Sequence, residues 1–205
     1  MQKQVDAKNL LSAVHYEASG ELMRLMDGFY SNIEDGLFEL AYSQNEQEYQ
    51  RHIIELMREL RFRREHLLKT FGKRIQRAST AWLNGDESSP EYLEERQCAD
   101  RIASRCSTHF AGLLQIIAER MAHATGRQDA DREALPLGPH EVSYHFVMSC
   151  RSVEFDQRSI ATVQDLFHRF VLERLGSVYG NINQQLEEAG FCTARELEQL
   201  EASSA

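Results

Sequence analysis

Proline is scarce in this 205-residue chain. Pro90, Pro136 and Pro139 are the only three, and none interrupts a long periodic segment, which favours long helices. Cysteine is also sparse. Cys98, Cys106, Cys150 and Cys192 form no C-x-x-C pair, so a redox or zinc-ribbon site has no local support. Cys98 and Cys106 are spaced to share roughly one helical face and read as reduced, buried thiols. The most apolar run, 110–118, contains Gln115 and is far too short to span a membrane. No apolar signal segment follows Met1-Gln2-Lys3-Gln4, so a cytoplasmic location is expected. G-x-S-x-G, P-loop and G-x-G-x-x-G patterns are all missing, leaving acyl transfer and nucleotide-fold chemistry without a local signature.

An apolar fraction of 42% and a charged fraction of 27% are those of a globular protein able to bury a core. The net charge of −9 repels nucleic acid and anionic lipid, so neither is an expected partner. One stretch departs from this background. Arg58, Arg61, Arg63, Arg64, Lys69, Lys73, Arg74 and Arg77 interleave with Leu60, Phe62, Leu67, Leu68, Phe71 and Ile75. Against Glu59 and Glu65 this block is +6, leaving −15 on the rest of the chain.

Apolar periodicity organises the whole chain into helices. Leu11, Val14, Ala18, Leu22, Leu25, Phe29, Ile33, Leu37 and Leu40 recur at three- and four-residue steps, predicting a helix over about 8–41. Gly20, Gly28 and Gly36 fall inside it and suggest a close crossing, a kink or a break. Ser43 and Glu46 are spaced as a capping box for a second helix over about 44–83. Its stripe of Ile53, Met57, Leu60, Arg64, Leu67, Phe71, Ile75, Ala78 and Trp82 holds Arg64 as its one charged member. Such an arginine either snorkels or pairs with a carboxylate of another helix.

A third helix is expected over about 90–125, with Ser88 and Glu91 as its capping box, Pro90 in its first turn and Gly126 as its stop. Its inner face reads Leu93, Cys98, Ile102, Cys106, Phe110, Leu113, Leu114, Ile117 and Met121. Pro139 opens a shorter fourth helix over about 139–151. Asp156 caps a fifth over about 156–189, on the stripe from Ile160 to Leu186, with Gly190 at its end. Thr193 and Glu196 cap a last short helix within 191–205, which ends in a disordered tail. The expected fold is all-α, an antiparallel bundle of four to five long helices plus a short C-terminal helix. Residues 1–190 would form a single helical domain.

Two segments carry a family resemblance. The first is Gly36-Leu-Phe-Glu-Leu-Ala41 with Ile54-Glu-Leu-Met-Arg-Glu-Leu-Arg61 and Phe71-Gly-Lys-Arg-Ile75. It resembles the amino-terminal part of a bacterial family of unknown function, DUF1631. The second is Leu135-Pro-Leu-Gly-Pro139, then Val163-Gln-Asp-Leu-Phe-His-Arg-Phe-Val171 and Leu175-Gly-Ser-Val-Tyr179. It is similar to that family's later P-x-x-P and L-Y-K-L-F-D-R patterns. Longer members are often joined to a PilZ domain, which binds cyclic di-GMP. The resemblance therefore implies a compact version of the helical part, working in gammaproteobacterial regulation. Arg101-Ile-Ala-Ser-Arg105 spells R-x-x-x-R, but it lies in a helical pattern and no D-x-S-x-x-G follows, so a PilZ mode of nucleotide binding is not expected.

Local chemistry is thin. His140-Glu141-Val-Ser-Tyr-His145 misses the zinc-protease spacing by one residue, which turns the second histidine by about a further 100°. Asp165-Leu-Phe-His168 occurs once, without the second motif a di-iron bundle needs. No catalytic residue, metal ligand or cofactor is expected. The basic helix remains. Its charges do not form one clean stripe for tracking a phosphate backbone, and they either answer acidic faces such as Glu91, Glu94, Glu95, Glu187 and Glu188 or grip an anionic partner. Arg58, Arg61, Arg64, Lys73, Arg74 and Arg77 are the candidates for partner or anion binding. The leading expectation is a non-enzymatic regulatory protein that presents helical surfaces to a protein partner or to a second copy of itself. The alternative is a sensor holding an anionic small molecule against Arg61, Arg64 or Arg105.

Overall fold

The computed structural model describes residues 2–43, 46–86, 92–127, 129–153 and 155–203. These residues form α1 (Gln2–Ser43), α2 (Gln47–Asn84), α3 (Leu93–His109), α4 (Ala111–Thr125), α5 (Pro139–Arg151), α6 (Gln157–Phe170), α7 (Gly176–Glu188) and α8 (Ala194–Ser203). A 3-10 turn, Leu172–Arg174, joins α6 to α7, and no strand occurs among the described residues. The protein is an all-α helical bundle. No described helix is long and apolar enough to cross a membrane.

α1 and α2 form a long antiparallel hairpin whose register is visible in three pairs: Lys8 with Asn84, Arg64 with Asp27, and Arg61 with Glu34. At 42 residues α1 is about 63 Å long. Its apolar face (Leu11, Val14, Ala18, Leu22, Met26, Phe29, Ile33 and Leu37) is buried against α2, α4, α6 and α7. The helix runs unbroken through its three glycines. Only Gly36 marks a close crossing, since a Cβ there would lie 3.2 Å from Leu166 and Phe170. Around Gly20 and Gly28 the corresponding space is open.

The helix ends show which sequence signals were used. Gly85 and Gly126 are left-handed (φ 77° and 69°) and close α2 and α4. Pro139 sits in the first turn of α5, and the Asp156 carboxylate accepts from the Arg158 and Ser159 amides. Thr193 and Glu196 make a reciprocal capping box. Ser43 and Glu46 do not cap α2. Ser43 belongs to the last turn of α1 and donates to the Leu40 carbonyl, while Glu46 takes the N-cap with no side-chain bond. Ser88, Pro90 and Glu91 lie outside the described residues. Leu93, expected on an inner face, is 67% exposed as the first residue of α3.

The third and fifth predicted helices are each broken, and the two breaks meet. α3 and α4 run parallel to α6 and α7, shown by Gln164 on Cys98, Cys106 on Leu172, Phe110 on Tyr179 and Arg120 on Glu187. Phe110 leaves the helical path (φ −96°, ψ 11°) beside the start of α7, where a Cβ on Gly176 would stand 3.0 Å from its ring. The Cys106 thiol donates to the Leu172 carbonyl in the adjoining 3-10 turn (3.3 Å). Neither break contains a proline. Each is held by its partner's irregularity, a tertiary cause.

α5 fills the space between α2 and α3, antiparallel to both. From 142 to 150 every residue is buried. Phe146 stacks face to face on Phe167 at 3.8 Å, and Phe29 meets both rings edge-on.

Candidate functional site

The basic residues of α2 divide into paired and unpaired sets. Arg61 reaches across the hairpin to both carboxylate oxygens of Glu34, holding that carboxyl below its ordinary value. Arg64 extends out of the stripe to Asp27 (2.6 Å) and Ser31 (2.9 Å) of α1. Arg63 pairs one turn back with Glu59. Arg74 is half-buried under α5, its guanidinium 6.0 Å from the Tyr144 ring centroid. Lys73 and Arg77 are exposed, and like Arg58 they have no ion-pair or hydrogen-bond partner among the described residues.

The acidic partners differ from those expected. Carboxylates of α1 answer Arg61 and Arg64, whereas Glu95 pairs with Arg151 and Glu187 with Arg120. The six candidates therefore do not converge on one anion site. Arg105 is exposed on α3, a helix that packs chiefly on α5, whereas Arg61 and Arg64 bond to α1.

What α2 does build is a groove at the turn end of the hairpin. It holds about 280 Å³ and is lined by Phe38, Ala41, Tyr42, Gln50, Ile54, Met57, Arg58 and Arg61. Phe38 and Tyr42, one turn apart on α1, pack ring to ring at 4.4 Å yet stay 55% and 69% exposed. On α2, Ile54 and Phe62 are 45% and 86% exposed and flank Arg58 at four-residue steps. The lining holds two guanidinium groups and no carboxylate. Phe38, Tyr42 and Ile54 together expose on the order of 300 Å² of apolar surface, enough for a patch of functional size on a monomer, while Phe62 lies outside the groove lining. The sequence carried a faint signal of this: Ile54 sits one position off the Ile53–Leu60–Leu67 core stripe.

Two polar clusters lie deeper. Around α5, Arg96 bonds Glu141 (2.6 Å) and covers the Tyr144 ring at 4.0 Å, while His140 meets Asp100 at 2.8 Å. His145 faces the other way, 3.7 Å from Glu141. Its ring nitrogens have no hydrogen-bond partner, and burial, aided by Arg74 and Arg96, lowers its pKa to about 3. The two histidines therefore serve different neighbours. Among the described residues no group of three His, Cys, Asp or Glu side chains converges as a metal site.

At the far end, Arg120 is 5% exposed and holds the C-terminal segment. It donates to the Phe191 carbonyl (2.6 Å) and to Glu196 (3.1 Å), and His123 accepts from the Cys192 amide. All four cysteines are free, and burial raises the Cys106 and Cys150 thiols to about 12, so both are inert.

Fold and surface thus define a helical bundle whose candidate site is an exposed, cationic-aromatic groove on a long hairpin. Residues 6–190 match the family model described as "Protein of unknown function (DUF1631) N-terminal domain", and the chain belongs to that family. The match ends at Gly190, so α8 lies beyond it. No curated protein and no solved structure matches the chain.

Proposed function

We propose that the protein is a non-enzymatic regulatory module that binds a partner protein through the turn end of the α1–α2 hairpin. The observation that carries this reading is the exposure of Phe38, Tyr42 and Ile54 in one groove with Arg58, which has no ion-pair partner among the described residues. Aromatic residues and arginine are the side chains that dominate binding energy at protein interfaces. The occupant that fits is an acidic amphipathic helix, its apolar stripe in the groove and its carboxylates on Arg58. Arg61 is already neutralised by Glu34 and contributes mainly its stem. The link to cyclic di-GMP signalling implied by the family would then run through the partner. A sensor grasping an anion with Arg61, Arg64 or Arg105 has less support, because the first two are already engaged by carboxylates of α1 and Arg105 does not line the groove that holds Arg61.

The test compares wild type with Phe38→Ser and Arg58→Glu. Proteins captured by wild type but not by either variant are identified, and their acidic helices are titrated by fluorescence anisotropy. The reading predicts saturable binding that both substitutions weaken at least about tenfold, with helical content unchanged. Binding that survives both substitutions refutes it. Concentration-dependent self-association abolished by the same substitutions would assign the groove to a second copy instead.

A further inference from the structure

Phe62 is 86% exposed, more than any other large apolar side chain among the described residues, and the hairpin groove does not use it. At about 100° per residue it falls in the middle of a solvent-facing stripe of α2 that also holds Arg51, Arg58, Lys69, Lys73 and Arg77. The stripe is about 100° wide and runs about 39 Å along the helix. All five cations are exposed, and none has an ion-pair or hydrogen-bond partner among the described residues. The paired arginines of α2, Arg61, Arg63 and Arg64, lie outside the stripe. Glu59, at its edge, is already taken by Arg63. Five cations against the exposed Glu55 and Glu65 leave a net charge of +3 on a chain whose total is −9.

We propose that this face of α2 docks on an anionic lipid bilayer, with Phe62 entering the headgroup boundary and the cations resting on lipid phosphates.

Shape, chemistry and range carry it. α2 packs chiefly on α1 and α5, so the stripe is the outward crest of a long helix. Phe62, Lys69, Lys73 and Arg77 line neither the hairpin groove nor the larger groove of the α1–α2 seam. A convex crest of this length offers a partner helix no slot, whereas a broad soft surface meets it from end to end. An aromatic ring set among lysines and arginines is the composition that binds the interface of anionic membranes, the ring by burial and the cations by charge. The negative charge of the whole chain opposes such a surface only at long range. Fields are screened within about 8 Å at physiological salt, and α2 alone is about 10 Å across. A bilayer resting on the crest is therefore governed by the stripe rather than by acids beyond α1 and α5.

The test is co-sedimentation with vesicles of equimolar phosphatidylcholine and phosphatidylglycerol, against vesicles of phosphatidylcholine alone. Each net charge near an anionic surface strengthens binding about fivefold, so a preference of about a hundredfold for the anionic vesicles is expected. Half-binding should fall near millimolar lipid and weaken as salt rises above about 0.1 M. Lys69→Glu/Lys73→Glu turns the stripe from +3 to −1 and should abolish the binding. Phe62→Ser keeps the charge and should weaken it at least about tenfold. Both variants are solvent-facing and leave the residues of the hairpin groove untouched, so circular dichroism should not change and partner capture should persist. Equal partitioning onto the two vesicle types overturns the proposal. So does undiminished binding by the double variant, or by Phe62→Ser. Retention on a single-stranded oligonucleotide without vesicle binding would overturn it in favour of nucleic acid.

Discussion

Acid should unfold this protein earlier than its carboxylates alone would, because two buried histidines must take up protons. His15 and His145 are held neutral, with pKa values of about 4 and about 3, and burial is the main cause at both. His145 also faces Arg74 and Arg96, and its nearest carboxylate, Glu141, is already bonded to Arg96. In the unfolded chain both imidazoles titrate near pH 6.5. Because the folded values are depressed, the unfolded state binds more protons below that point, and stability falls as pH drops from about 6.5 toward the folded values. From about pH 7.5 to pH 5 each histidine costs about 2 kcal/mol, a figure that depends little on where below 5 the folded value lies. Together they remove about 4 kcal/mol from a total that is typically 5–15 kcal/mol. Glu34, Asp156 and Glu196, whose carboxyls are held low, lose their stabilisation as pH falls from the ordinary carboxylate value toward their lowered ones, which lies below this window. Urea unfolding followed by circular dichroism at both pH values measures the drop. The double variant His15→Leu/His145→Leu should lose most of it, whatever its stability at neutral pH. Equal wild-type stability at the two pH values, or an undiminished drop in the double variant, would refute the reasoning.

Replacing Arg120 by Met keeps apolar volume but strands the Phe191 carbonyl and frees Glu196, at a cost of about 1–3 kcal/mol. Hydrogen exchange should then rise selectively across 191–197. Gly138→Ala sets a Cβ 3.0 Å from the Leu135 carbonyl oxygen, backbone that cannot step aside, so a calorimetric Tm lower by several degrees is expected. Arg64→Ala, by contrast, removes an exposed pair with Asp27 and should change unfolding free energy by less than about 1 kcal/mol in urea titrations.

Much of the helical scaffold was legible because burial follows period. The stripe from Leu11 to Leu37 and the left-handed glycines at 85 and 126 are local signals, and the structure uses them. The breaks at Phe110 and at Leu172–Arg174 were not legible, since each is imposed by the other across the bundle. Met26, Tyr30 and Leu56 are buried just off the predicted stripes, because each long helix touches more than one neighbour. The surface was harder. Charge density drew attention to Arg61, Arg64 and Arg74, and the hairpin register then paired the first two with α1 and tucked the third beneath α5. Phe38 and Tyr42 gave little warning, because one helical turn of exposed aromatics looks the same in sequence as one turn of core.

The burial of α5 has a kinetic meaning. A helix enclosed on every side from 142 to 150 gains nothing until α2 and α3 are both in place, and its α2 contacts, such as His66 with Ser152, close a long loop. The α1–α2 hairpin can form from contacts near in sequence, while α5 can only arrive late. Local fraying cannot expose it either, so its amides should exchange only through the global opening reaction. They are the natural reporters of the free energy of the whole fold.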